Sequence, residues 1–268
     1  MSNEDSSLDE KRVYDGTRPA ETLFVASEAG LARVSVAADI VGEFSLVYRD
    51  ETLDVAVSEN QLAIATPGDV LTAEVDNGRL RFTETGFGEA AAVCYHQGLV
   101  AAGDGRLARL DGETWTTLGA VGDVRELSGG MVAAASGVHR FDGTHIGLDD
   151  ATDVVTGNDV LAATSSGLYR LGNGWLKRLD GDFRFVSTGR NGAQDGIRAH
   201  TGTEETLYER VGGEWVSVDI PVVEPVVDTT YGDGVYAVTR NGTVAVDAGD
   251  GWRSRALGLS GVSAVVTS

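Results

Sequence analysis

Short runs of alternating apolar and polar residues recur along almost the whole chain, at the period-two spacing of half-buried β-strands. The clearest run is DVLAATSSGLYRLGNGWLKRL, from Asp159 to Leu179. It reads as an apolar strand ending in small residues, a tight turn, a second strand G-L-Y-R-L, a Gly-Asn-Gly turn, and a strand opened by Trp175. Six relatives of this unit follow or precede it. In chain order the units span Thr22 to Arg49, Leu53 to Phe82, Ala91 to Gly119, Asp123 to Leu148, a stretch starting near Thr152, Phe185 to Val218, and Pro225 to Leu257.

Two landmarks keep one register. A glycine before the third strand falls at Gly30, Gly68, Gly105, Gly137, Gly167 and Gly242, with Glu205 in the diverged sixth unit, giving steps of 38, 37, 32, 30, 38 and 37 residues. A turn followed by a large ring opens the fourth strand at Trp115, Trp175, Trp215 and Trp252, with His145 in that place in unit four. Four short strands and their turns need this much chain, so the spacing predicts an all-β, seven-bladed β-propeller. Six blades is the alternative, because the second strand of unit six, within GAQDGIRAHTG, is poor in apolar residues.

The end of the chain predicts how the ring closes. Unit one starts directly at a second strand, TLFVAS, whereas LSGVSAVVTS after Leu257 has the pattern of a first strand. Pairing Val262 to Thr267 with Leu23 to Ala26 would complete the first blade and remove an open sheet edge. Residues 1–12 are polar and charged and are read as a disordered leader, followed by a single propeller domain over 13–268.

The charge changes the picture of the surface. The formal net charge is −20, and Lys11 and Lys177 are the only lysines, so the basic residues are almost all arginine. Such a surface suits a salt-rich cytoplasm, where carboxylates keep the fold hydrated. Nucleic acid is not expected as a partner, since phosphate binding needs clustered Lys and Arg and the arginines here are spread along the repeats. The single Cys94 excludes an intramolecular disulfide. The polar start has no apolar segment of the signal-peptide kind and no apolar run is long enough to span a bilayer, so a cytoplasmic location is expected and a membrane is not.

Candidate chemistry is sparse. Arg33, Arg109, Arg140, Arg170 and Arg210 close successive third strands; they could ring an anion, but such regularity favours pairing to carboxylates of neighbouring blades. The turn aspartates Asp104, Asp111, Asp142 and Asp250, each before a glycine, and Asp182, after one, lack the ligand offsets of a calcium loop and fit hairpin turns. Asp149, Asp150 and Asp153 form the densest carboxylate cluster, yet no metal or other cofactor is expected. The histidines His96, His139, His145 and His200 show no ligand spacing, and Cys94 with His96 lacks a third group to orient a base.

With EKRVYDG near its start, FVASEAGLARVSV and VGEFSLV in unit one, and its acidic, lysine-poor composition, the chain resembles a haloarchaeal family of β-propeller proteins. The G-L-Y-R-L of unit five is similar to repeats in the sensor propellers of two-component regulators. Both resemblances imply the architecture and carry over no catalytic residues.

The expected function is therefore a non-catalytic interaction or ligand-binding module, its partner a protein or a small ligand. Loops on a rigid frame carry variation freely, which points to the face made by the turns between second and third strands and the connections between blades. Residues there are Glu28, Asp69, Asp104, Ser136, Asp149, Asp150, Ser165, Glu224 and Asn241. The alternative is a propeller hydrolase or lyase with a polar constellation in an axial pocket.

Overall fold

The computed structural model describes residues 20–75, 79–190 and 197–268. The leader read over residues 1–12 lies outside them, as does the GAQDG run of unit six. Every regular element among the described residues is a strand, and the strands form seven four-stranded antiparallel sheets.

From the axis outward, blade one holds Ala264–Thr267, Glu21–Ser27, Gly30–Ala37 and Ile40–Tyr48; blade two holds Asp54–Ser58, Gln61–Ala65, Val70–Glu74 and Thr83–Glu84. Blade three comprises Ala92–Tyr95, Leu99–Gly103, Arg106–Asp111 and Thr114–Ala120, and blade four Val124–Ser128, Met131–Ala134, Gly137–Arg140 and His145–Gly147. Blade five comprises Ala151–Val155, Leu161–Thr164, Gly167–Leu171 and Trp175–Asp180, and blade six Phe185–Arg190, Ile197–Gly202, Leu207–Val211 and Glu214–Val218. Blade seven is Val226–Tyr231, Val235–Thr239, Thr243–Asp247 and Arg253–Ala256. Blade six is thus complete, and the count is seven.

The inner strands neighbour one another in order, and the last returns to the first. Closure is made by the C-terminal strand: Leu23 pairs with Thr267, Phe24 with Val266, Val25 with Val265 and Ala26 with Ala264. The expected pairing is therefore the observed one.

Each sheet can cover its apolar face only with its neighbour, so the core is divided among the blade interfaces. Seven apolar clusters fill the seven wedges among the described residues. Near the axis, where sheets converge, the second strands carry alanine: Ala101, Ala102, Ala133, Ala134, Ala162 and Ala163 are all fully buried. Further out the wedge widens and large rings fill it. The Trp115 indole N–H reaches back to the Thr85 carbonyl (3.1 Å) and that of Trp175 to the Ile146 carbonyl (3.0 Å), each on the preceding blade. These rings bury apolar area while their polar edge stays satisfied.

Candidate functional site

The inner strands line an axial channel of about 300 Å³. Four of them place a carboxyl group in it: Asp54 from blade two, Glu126 from blade four, Asp153 from blade five and Asp228 from blade seven. All four occupy one register position, opposite Ala65, Ala133, Ala163 and Val238 of their second strands. The same position in the other blades holds Ala92, Phe185 and Ala264. In blades four, five and seven the pairing slips just before the acid, at Arg125, Thr152 and Val227. A bulge re-aims the next side chain, and here it directs the carboxyl inward.

The three aspartates are also staples between blades. Asp54 accepts the N–H of Val55 (2.7 Å) and that of Val93 on blade three (2.8 Å). Asp153 accepts the N–H of Val186 on blade six (2.6 Å). Asp228 accepts those of Thr229 (2.7 Å) and of Val265 on the closing strand (2.8 Å). In each case the receiving blade carries no acid at that position.

Glu126 differs. Its Oε1 accepts the Leu127 N–H (2.9 Å), and no hydrogen bond among the described residues engages its other oxygen. Blades four and five are tied instead by Arg125, which donates to the Ala151 carbonyl (3.2 Å) and pairs with Asp150 (2.7 Å), and by Ser128 and Thr156.

Enclosing four carboxyl groups in one channel favours their neutral forms. Burial pushes Asp54 up to about 6 and Asp153 up to about 7, against the lowering effect of the backbone N–H groups they accept. Burial also holds Glu126 and Asp228 well above the usual carboxylate range, and the other acids of the ring add to this. The remaining wall is hydroxyl-rich, with Ser128, Thr152, Ser187, Thr188, Thr229 and Ser263. The two arginines of the lining are already engaged, Arg125 with Asp150 and Arg184 with Glu204.

Behind Ser187 lies a buried polar network between blades six and seven. Tyr231 Oη lies 3.3 Å from Ser187 Oγ and 2.8 Å from His200 Nδ1, and Ser187 also contacts Thr229. Burial lowers His200 to about 4, so the ring is neutral and serves the core.

The residues expected on the loop face lie in the turns and connections of separate blades. Asp150 accepts the Ser165 hydroxyl and the Arg125 pair, both of which lower its pKa. Asp69 is occupied locally: its oxygens accept the N–H groups of Val70, Gly86, Phe87 and Gly88. Ser136 contacts His139 Nε2 (2.8 Å), Glu28 takes a bond from Ser260 (3.5 Å), and Glu224 lines a shallow cavity beside Thr203 and Val226. Asp104, Asp149 and Asn241 are exposed. Only Asp150 and Ser165 of this set are brought together.

The carboxylate cluster of residues 149–153 is divided, with Asp150 on the rim and Asp153 in the channel. No group of three potential metal ligands assembles among the described residues. Of the five regular arginines, Arg170 and Arg210 of adjacent blades grip the two oxygens of Asp159 at 3.2 and 2.6 Å, and the Arg210 pair crosses between blades. Cys94 is buried and its thiol is pushed far above its ordinary range, and His96 packs edge-on against Phe141. Among the described residues no helix is long and apolar enough to cross a membrane.

The sequence pattern places Glu126 in the first strand of unit four and Asp153 in a connection between blades, and does not join them with Asp54 and Asp228 as a set. The signal was an acid followed by a branched or apolar residue at the same step of four units: L-D-V, R-E-L, T-D-V and V-D-T.

A family model described as Beta-prop_HVO_0234:-like, beta propeller, matches residues 7–268, in keeping with the haloarchaeal resemblance. No curated protein matches the chain. Among solved structures, the computationally designed Ika8 protein is similar at 15% identity over 92% of this chain and 91% of that one, with a TM-score of 0.58. A chain of the nidogen/laminin complex is similar at 9% identity, covering 92% and 98%, TM-score 0.59, and AztD from Citrobacter koseri at 14%, covering 94% and 98%, TM-score 0.54. At such identities the likeness is one of fold alone.

Proposed function

The chain belongs to this HVO_0234-like β-propeller family, and from that premise we propose that it is a non-catalytic binding module whose axial channel takes a small cationic, hydrogen-bond-donating ligand such as an organic amine. The observation that carries this is the convergence of four carboxyl groups and six hydroxyl side chains on one channel of about 300 Å³. Acceptors outnumber uncommitted donors, because both lining arginines are ion-paired. An ammonium group supplies the missing donors and charge, and Glu126, with an unengaged oxygen, is its first contact.

The raised pKa values give this reading a signature. Burial in the empty channel favours the protonated form of its carboxyl groups, and a bound cation favours the ionised form. Binding therefore expels protons and tightens as pH rises from 6 to 8. Calorimetric titration of a short diamine in two buffers of different ionisation enthalpy measures the protons released. Proton release that is lost in Glu126→Gln supports the reading, and pH-independent or absent binding contradicts it.

A second reading, an enzyme with an axial acid, draws on the same Glu126, since perturbed carboxyl groups in a cleft also mark general acids. It requires turnover, so a diamine recovered unchanged after prolonged incubation favours the binding module.

A further inference from the structure

On the outer rim, away from the axis, blades one and two part. The fourth strand of blade two is only Thr83–Glu84, and its ladder to the third strand holds two pairs, Leu71 with Glu84 and Thr72 with Thr83. Ala73 and Glu74 beyond it have no outer strand partner. The gap is occupied by two adjoining cavities of about 910 and 620 Å³, which share Val47, Arg79 and Leu80.

Their lining inverts the charge of the molecule. Arg33, Arg49, Arg79 and Arg81 face them, against a single acid, Glu74, on a chain of net charge −20. Arg49, Arg79 and Arg81 are exposed and form no ion pair among the described residues. Several other arginines of the fold are committed to carboxylates or carbonyls, as Arg170, Arg210 and Arg255 are. Between the guanidinium groups the floor is apolar, with Val47, Leu80 and Phe82, the last tilted against the Tyr48 ring with centroids 5.3 Å apart.

We propose that this groove is a docking surface for an extended acidic peptide segment of a partner protein, in which carboxylates alternate with apolar side chains. Guanidinium groups pair with carboxylates in bidentate fashion, the apolar floor takes the intervening side chains, and an extended chain matches an incomplete sheet rim. A polyphosphate backbone fits less well. It offers nothing to the apolar floor, and the acidic surface around the groove repels its dense charge.

The test is fluorescence anisotropy of a labelled peptide of alternating glutamate and leucine with the full chain, at the lowest salt in which circular dichroism shows the native fold. Saturable binding that weakens at least tenfold in Arg79→Glu/Arg81→Glu, and is unchanged in Arg178→Glu on the exposed outer strand of blade five, supports the proposal. Absence of binding, or binding indifferent to the double variant, overturns it. A single-stranded oligonucleotide that binds more tightly than the peptide and displaces it overturns the choice of partner. Both variants alter exposed side chains, and circular dichroism identifies any that fail to fold. The axial reading is independent, because the diamine titration does not involve these arginines.

Discussion

Asp54 shows how one side chain serves two purposes. Its two oxygens take an N–H from its own strand and one from the next blade, while its pKa rises to about 6 because that position is dry. Replacing it with alanine strands the buried Val93 N–H, at a cost of about 1–3 kcal/mol, measurable as a lower midpoint in denaturant unfolding. The pH dependence follows from the direction of the shifts. Asp54 at about 6 and Asp153 at about 7 exceed their ordinary 3.8, so between those values the folded chain holds protons that the unfolded chain has lost. Stability then falls as pH rises through about 4 to 7 and levels off above. A urea midpoint higher at pH 5 than at pH 7.5, with a smaller difference in Asp153→Asn, is the expected outcome; a midpoint that rises with pH contradicts it. Gly30 is a different kind of dependence. Its φ of +121° is unsuited to L side chains, and an added Cβ would lie 2.1 Å from the Tyr48 carbonyl oxygen. Gly30→Ala is expected to cost more than about 2 kcal/mol by the same unfolding assay.

The strands were legible because alternation, turn residues and the ring-opening aromatic all repeat in register. The closing strand was legible for a similar reason: unit one lacks a first strand and the C-terminus supplies one. Its removal exposes Leu23, Phe24 and Val25, all fully buried, and deletes the Val265 N–H that Asp228 accepts. A chain ending at Gly261 should lose cooperative unfolding and aggregate with rising concentration, as light scattering would record. The axial carboxyls escaped the sequence reading for a physical reason. In sequence an acid beside an apolar residue is ordinary on a half-exposed strand, and only the ring brings strands so distant in sequence onto one axis. The bulges at Arg125, Thr152 and Val227, which turn the acids inward, also leave no mark in a two-residue period. The short outer strand of blade two was hidden likewise, since Arg79, Leu80, Arg81 and Phe82 alternate as a full strand would.

The whole molecule divides its charge unevenly. Protonated or stapled carboxyls occupy the axis, an arginine-lined groove lies on one rim, and the rest of the surface carries the negative excess. Self-repulsion at a net charge of −20 weakens a compact state, and salt screens it, so the unfolding midpoint should climb with KCl. A midpoint insensitive to salt would remove that reading of the surface. The account centres on the axial acids, and a carboxyl-carbon NMR titration of Glu126 and Asp153, with and without a short diamine, tests it most directly. The prediction is that both titrate well above the ordinary carboxylate range in the free protein and shift downward when the diamine is present. Ordinary values near 4 that ignore the diamine would contradict it.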